Sequence, residues 1–225
     1  MSIFLASSIG KKLFMSITGL FLVTFLLVHL VLNLLLLFDE TGELFNVAAN
    51  FMATNTFMHI LEPVLALGLI LHIIYATYIT LQNQKSRPVA YKTVNQKDSS
   101  SWASRNMYIL GGLVFVFLVI HIINFFYKIK FGEISSVEID GIEMHNSYEL
   151  VSGLFGYWYF SAIYIIGAIL LGLHLSHGFW SGFQTLGLSN DIWRKRLNVI
   201  GKFYAVIIAF GFAIIPLFFL IKSNI

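Results

Sequence analysis

The chain contains no cysteine, only three prolines and few charged side chains. Without cysteine it can form no disulfide, no thiolate bond to haem iron and no iron–sulfur cluster on its own sulfur atoms. Charged residues make up 11% of its 225 residues, whereas a soluble domain usually has about 25%. Because that leaves too little polar surface to cover a globule, the composition indicates a protein that lies in the lipid bilayer. The net charge of +3 is too small to indicate nucleic-acid binding.

Five apolar segments are each long enough to cross the roughly 30 Å hydrocarbon core of a bilayer as a helix. The first has no Asp, Glu, Lys or Arg over residues 13–38, and it is longer than the apolar core of a cleaved signal peptide, so we expect a retained helix. Pro63 fits the first turn of the second span or a kink near its start. The sequence therefore predicts an all-α integral membrane bundle that forms one transmembrane domain over residues 1–225. The predicted spans are about 13–38, 57–82, 106–127, 156–180 and 203–221.

The segments between the spans differ in composition. Residues 46–55 are mixed and could form a short helix at the membrane interface. The Ile-Asp-Gly-Ile sequence at 139–142 could turn a small hairpin. Residues 84–105 are polar and are predicted to form a loop, and residues 182–202 are predicted to form a basic connection.

The charges of the segments outside the spans alternate along the chain. Since Lys and Arg favour the cytoplasmic side, we expect the N-terminus inside the cell, and five spans then put the C-terminus outside. This pattern predicts a multi-pass protein of the cytoplasmic (inner) membrane. The basic parts are Lys11 with Lys12, 84–105 and 183–202, and the acidic parts are 39–55 and 128–149.

Each of the first four spans contains one histidine well inside its apolar stretch: His29, His72, His121 and His174. A polar side chain in hydrocarbon is costly unless it has a partner, and imidazole is a common axial ligand of haem iron. Any one of these histidines could instead be a hydrogen-bonded structural residue or part of a proton relay. Four of them on four helices favour two bis-histidine haem sites.

The predicted orientation converts positions along the spans into depths. His29 and His121 lie at similar heights in the outer half of the membrane, whereas His174 lies deep in the inner half. The depth of His72 is ambiguous because of Pro63, and it pairs with His174 by elimination. His177 shares a helix face with His174 and is a rival inner ligand, although its place near the cytoplasmic edge lets water solvate it.

Glycines near the inner histidines could leave room for a flat ring against the backbone. Gly68 precedes His72 by four residues, and Gly167 and Gly178 share the helix face of His174. The alternative is that these glycines only let neighbouring helices approach each other.

The sequence resembles a known family at these residues. Its opening segment 10–19, GKKLFMSITG, its one histidine in each of four spans and the stretch 174–180, HLSHGFW, resemble the five-helix, dihaem cytochrome b subunit of succinate:quinone oxidoreductases. This family comprises the membrane anchors of succinate dehydrogenases and fumarate reductases, and the resemblance covers essentially the whole chain. The match of a histidine followed four residues later by glycine, and then by an aromatic residue, carries the ligand role to His174 and not to His177.

The resemblance implies two b haems, an outer distal one on His29 and His121 and an inner proximal one on His72 and His174. It also implies a flavoprotein subunit and an iron–sulfur subunit on the cytoplasmic face, with the succinate or fumarate site in the flavoprotein. This chain would anchor them and exchange electrons with a membrane quinone, menaquinone or ubiquinone, and the whole complex could dimerise.

Polar residues near the two predicted haems are candidate contacts. By depth, the candidates for contact with the inner haem propionates are Ser16, Trp102, Ser104 and Arg105. The resemblance favours Ser16 and Trp102. Helix capping and interfacial anchoring better explain Ser104 and Arg105. On the outer side, six residues offer hydrogen-bond donors or a proton carrier for a quinone. The resemblance implies a Glu near the outer face, and Glu62, Glu43 or neither corresponds to it. The six are Asn33, His59, Glu62, Asn124, Tyr127 and Trp158.

Three other functions compete with this interpretation. The cytochrome b subunit of a hydrogenase or formate dehydrogenase also carries several histidines, but a fifth span without histidine favours the succinate family. A haem-free, proton-coupled transporter would be expected to carry carboxylates inside the membrane, and Glu62, near the end of a span, is the one acidic residue within the spans. A purely structural anchor would not explain four costly histidines at matched depths.

Overall fold

The computed structural model describes residues 7–85, 102–187 and 190–225. These residues are mostly helical, and five helices are long and apolar enough to cross a membrane, which is the pattern of a multi-pass membrane protein. The prediction of five such helices is confirmed. They are Ile9–Phe38, Thr56–Lys85, Met107–Phe131, Trp158–Gln184 and Asp191–Lys222.

We number the elements of the described residues in chain order. The helices are α1 (Ser8–Phe38), α2 (Glu43–Thr54), α3 (Thr56–Lys85), α4 (Trp102–Arg105), α5 (Met107–His121), α6 (Lys128–Phe131), α7 (Ser147–Phe155), α8 (Trp158–Thr185) and α9 (Asp191–Lys222). A π-helical segment, Ile122–Tyr127, joins α5 to α6. The strands are β1 (Ser136–Ile139) and β2 (Ile142–His145).

The last helix begins well before the predicted span 203–221. The Asn190 side chain caps it by accepting a hydrogen bond from the Trp193 N–H, and Asp191 follows in the first turn, where an acidic residue suits the helix dipole. Hydropathy marks the part of a helix that lipid covers, so it did not detect this polar extension. Much of the predicted basic connection 182–202 is therefore helical.

The predicted loop 84–105 is described only at its two ends. Helix α3 continues to Lys85, and Trp102–Arg105 is helical rather than a loop. Residues 86–101 lie outside the described part of the chain. At the other end of α3, Pro63 lies within the helix, two turns after its start, and not in its first turn.

The predicted hairpin is present. Strands β1 and β2 pair in antiparallel fashion with Ile139 opposite Ile142, and Asp140 and Gly141 form the turn with φ angles of +52° and +75°. Positive φ at both central residues is what a two-residue turn needs to match the twist of its strands. A short helix, which was predicted at 46–55, is also present as the later part of α2.

Polar bonds hold the hairpin to the connection between α1 and α3. The buried Asn46 side chain donates to Asn146 Oδ1 at 3.1 Å and accepts from the Tyr148 N–H at 2.8 Å. We call this side of the bundle the hairpin end, formed by residues 39–55 and 132–157. At the opposite end, which we call the lysine end, Lys11 of α1 bonds Gln82 of α3.

The packed core lies mainly between α1, α8 and α9, and α8 and α9 form the most extensive helix pair. Small residues allow this approach: Gly172 of α8 lies against Ala205 and Ala209 of α9. Helix α3, in contrast, has no buried residue. The bundle therefore has a tightly packed side and a loosely packed side, and α3 forms the loose one.

Candidate functional site

Two of the four intramembrane histidines meet near the hairpin end. The rings of His29, from α1, and His121, from α5, lie with their centroids 5.8 Å apart and their planes perpendicular. Phe25 stacks on His29 at 5.2 Å, and Phe125 lies 5.3 Å from His121. Three further rings complete the aromatic shell of the pair: Phe117, Tyr164 and Phe212.

Two asparagines supply the polar groups beside this pair. The Asn33 amide donates to the backbone carbonyl of His29 at 2.7 Å and lies 3.4 Å from His29 Nδ1. The buried Asn124 amide donates to the Tyr164 hydroxyl at 3.3 Å. Both are among the predicted quinone-site candidates, and both lie next to the histidine pair.

A π-helical segment begins directly after His121. Its wider turns cover Ile122–Tyr127 and bring Asn124 to a buried position beside Tyr164. Such insertions into α-helices are frequent at functional sites because they shift side chains out of the regular helical register. Nothing in the sequence indicated this change, since the segment has no proline or glycine.

The other two histidines lie toward the lysine end. His72, from α3, has its Nδ1 atom 3.2 Å from the hydroxyl of Thr18 on α1. The Thr18 hydroxyl also lies 3.0 Å from the Phe14 carbonyl oxygen, to which it donates its single proton. The hydroxyl oxygen is then available to accept from His72 in the tautomer with its proton on Nδ1, and in that tautomer Nε2 keeps a free lone pair for a metal.

His174, from α8, has a buried Nδ1 atom with no hydrogen-bond partner among the described residues. It is close enough to His72 for the two side chains to interact electrostatically. A buried polar atom without a partner is costly, and ligand binding is one of the conditions that explains it. His177, the rival on the same helix, is half-buried, and its ring lies 6.4 Å from that of Trp180.

The glycines that face these two imidazoles are Gly19 and Gly111, which the sequence had not singled out. A Cβ atom on Gly19 would lie 3.5 Å from His72 Cε1, and one on Gly111 would lie 3.4 Å from His174 Cε1. Each histidine therefore lies against a helix whose backbone leaves room for its ring. A comparison of the depths of residues on facing helices could have identified both glycines from the sequence.

The three glycines that the sequence did single out are filled by neighbouring side chains. Phe21 faces Gly68, the Phe117 ring covers Gly167, and the Met107 methyl group faces Gly178. These contacts favour helix packing over clearance for a bound ring.

The remaining inner candidates lie on α1 and α4. Ser16 is buried, and its hydroxyl donates to the Lys12 carbonyl at 3.0 Å. Trp102 is exposed on α4, and the same short helix contains Ser104 and Arg105.

At the hairpin end, Glu62 of α3 forms an ion pair with Lys130 of α6, with 2.9 Å between Oε2 and Nζ. His59, Tyr127 and Trp158 are exposed there, and Glu43 is in the first turn of α2. None of these side chains has a described contact with the His29–His121 pair.

A scan against protein-family models found no match to this chain, and neither a search of curated proteins nor one of solved structures found a match.

Both histidine groups fit the demands of haem iron. Each brings imidazoles from two different helices together, and iron held between two such nitrogens is a common haem ligation. At the lysine end, Thr18 orients one ring, two glycines leave space, and the His174 Nδ1 atom is without a partner in the described structure. At the hairpin end, the aromatic shell provides the apolar surroundings that suit a porphyrin.

Proposed function

We propose that this chain is the membrane-anchor and electron-transfer subunit of a succinate:quinone oxidoreductase. His29 and His121 would hold one b haem, and His72 and His174 a second. The observation that carries the proposal is the grouping of four intramembrane histidines into two sets, one near each end of the bundle. A structural hydrogen-bonding role explains such grouping poorly, because the His174 Nδ1 atom is buried without a partner among the described residues.

The chain would bind and orient the two groups through its own side chains. A bound haem supplies a one-electron couple at its iron, tuned by the axial ligands and their hydrogen bonds. The Thr18 hydroxyl would accept from His72 in the tautomer with its proton on Nδ1, and this histidine would then bind iron through Nε2. The aromatic residues around His29 and His121 exclude water from that pair and hold its rings in place.

In this proposal the lysine end faces the cytoplasm and binds the iron–sulfur and flavoprotein subunits. The first turns of α9 support a docking role, because Ile192 and Trp193 are exposed there beside Arg194, Lys195 and Arg196. Exposed aromatic residues and arginine are enriched at protein interfaces. The succinate or fumarate chemistry itself would lie in the flavoprotein.

The hairpin end would face outward and exchange electrons with a membrane quinone. Asn33 and Asn124 provide amide donors beside the His29–His121 pair, which suits the carbonyl oxygens of a quinone. Glu62 and Lys130 lie at the same end and could exchange protons with the outer water. Electrons that crossed the full membrane would be coupled to its potential by about 2.3 kcal/mol per charge per 100 mV.

A redox difference spectrum of the purified complex tests the proposal. We expect a b-type haem signal with two haems per chain, reduced on addition of succinate. Hydrogen and formate are the control reductants, since a hydrogenase or formate dehydrogenase subunit would respond to one of them instead. The absence of any b-type signal would contradict the proposal.

A further inference from the structure

Lys11 is a buried cation with no anionic partner in the described part of the chain. Only 9% of this residue is exposed, although it lies near the start of α1. Its Nζ atom donates to Gln82 Oε1 at 2.9 Å and lies 5.0 Å from the centre of the Tyr78 ring. Both neighbours are electrically neutral, and among the described residues no carboxylate pairs with this ammonium group.

The surroundings of Lys11 make this arrangement costly for the chain alone. A buried charge is destabilising unless an opposite charge and hydrogen bonds compensate it. The ammonium group also lies near the N-terminus of α1, where the helix dipole contributes positive rather than negative charge. Its neighbour Lys12 avoids both costs, because its side chain is exposed. The site thus favours an anion that comes from outside the described residues.

The position of Lys11 connects it to the histidines of the lysine end. Lys11 and Thr18 are seven residues apart on α1, so they share a helix face and are separated by about 10 Å along the axis. Thr18 contacts His72, and the Phe14 and Tyr75 rings meet 4.4 Å apart between the two levels. The interface of α1 with α3 therefore carries an imidazole, an apolar aromatic wall and a buried cation in succession.

We propose that Lys11, held by Gln82 and Tyr78, binds a carboxylate of the inner haem and forms the ion pair that this propionate needs. The inference rests on the proposed function, because it requires a haem on His72 and His174. Haem suits the site because it carries an apolar ring that the Phe14–Tyr75 wall can contact, and anionic carboxylates at its edge. Lys11 would then supply a charge-assisted hydrogen bond to that carboxylate.

Replacement of Lys11 by glutamine in the intact complex tests the assignment, with optical redox titration of both haems as the readout. Loss of the positive charge stabilises the ferric state, so we expect a lower midpoint potential for the inner haem and an unchanged one for the outer haem. Lys12→Gln is the matched control and should change neither potential. Lys11→Arg keeps the charge, so the midpoint potential of its inner haem should stay close to that of the wild type.

Several outcomes would overturn the assignment while leaving the proposed function intact. These are two haems with unchanged potentials in Lys11→Gln, equal shifts of both haems, or the same shift in Lys12→Gln. Loss of a bound anionic phospholipid with unchanged haem potentials would assign Lys11 to a lipid phosphate and also overturn it. A wild-type complex without haem would instead contradict the proposed function.

Infrared redox spectra with carbon-13-labelled haem propionates provide a second measurement that does not depend on the assembly of Lys11→Gln. The carboxylate band of the inner haem should shift between the wild type and Lys11→Arg, because a guanidinium group binds a carboxylate with different geometry. Identical bands would overturn the assignment.

Discussion

The two histidine groups differ in how the protein holds them. At the hairpin end, His29 and His121 lie among aromatic rings from α1, α5, α8 and α9, next to the buried cluster of Leu36, Phe155 and Phe219. At the lysine end, His72 belongs to α3, the helix with no buried residue, and it meets α1 through one hydroxyl and one glycine.

This difference separates a site shaped by packing from a site that depends on what it binds. Dense aromatic packing fixes the His29 and His121 rings without further help. At the lysine end the buried His174 Nδ1 atom and the buried Lys11 ammonium group each need a partner that the described residues do not provide. We therefore expect changes at the lysine end to alter ligand retention first, and changes at the hairpin end to alter packing as well.

The largest effects should follow removal of single histidines. We expect His29→Ala or His121→Ala to remove the outer haem and leave the inner haem spectrally intact, because each substitution removes one axial ligand of the outer haem only. His72→Ala and His174→Ala should have the opposite result. Haem stoichiometry and low-temperature difference spectra of the purified complexes measure this.

His177→Ala is the control for those variants and should keep both haems, since its half-buried ring lies beside Trp180. Loss of the inner haem in His177→Ala would transfer the ligand role from His174 to His177. Loss of the same haem in His29→Ala and His72→Ala would contradict the pairing.

Substitution of Gly111 should damage the lysine end selectively. A Cβ atom there would already lie 3.4 Å from His174 Cε1, so the two further methyl groups of Gly111→Val would crowd the imidazole. Overpacking of this kind typically costs about 1–3 kcal/mol. We expect loss or weakening of the inner haem, measured by haem content after detergent washing.

The adjacent Gly112 provides a matched control, because a Cβ atom on it would have nothing within 4 Å. Gly112→Val should retain both haems. Equal losses in the two variants would indicate a general effect of valine on α5 rather than contact with His174.

Individual helices could be predicted from the sequence more completely than the contacts between them. Hydropathy and turn chemistry depend on one segment at a time, so the five apolar spans and the hairpin followed from short stretches of chain. Gly19 and Gly111 contact the histidines only because of how the helices that face them are rotated. That rotation depends on the packing of the whole bundle. Offsets along a single helix led instead to Gly68 and Gly167, which pack against Phe21 and Phe117.

A smaller effect is expected from Thr18→Val, which keeps the shape of the side chain but removes the hydroxyl that accepts from His72 Nδ1. Loss of such an orienting partner typically costs about 10–100-fold in metal affinity. We expect the inner haem to dissociate faster and the outer haem to be unaffected. The rate of haem transfer to a haem-free acceptor protein measures both.

Thr24→Val is the control on the same helix, because the exposed Thr24 hydroxyl bonds the Leu20 carbonyl of its own helix. It should leave both dissociation rates unchanged. If the inner haem dissociated from Thr18→Val at the same rate as from the wild type, Thr18 would not be the residue that orients His72.

The smallest predicted effect concerns Asp39 at the hairpin end and its response to pH. The Leu44 N–H donates to Asp39 Oδ2 at 2.9 Å, and the Thr41 hydroxyl and N–H donate to Oδ1, so these hydrogen bonds hold the pKa of the Asp39 carboxyl below its usual value. Because the pKa is lower in the folded state, the stabilisation is complete above the unfolded pKa. It is lost as the pH falls through the folded pKa.

Hydrogen-exchange protection factors of the Thr41 and Leu44 amides, measured in the acidic range, should therefore decrease as Asp39 becomes protonated. Asp39→Asn removes the titrating group and should abolish this pH dependence while keeping an acceptor oxygen for one of the amides. Amides of α1 near Lys11 are the internal control at the lysine end, since no contact joins them to Asp39. A parallel decrease at both ends would indicate that acid loosens the whole bundle, whereas a decrease confined to the hairpin end would show that the connection between α1 and α2 is stabilised locally by one carboxylate.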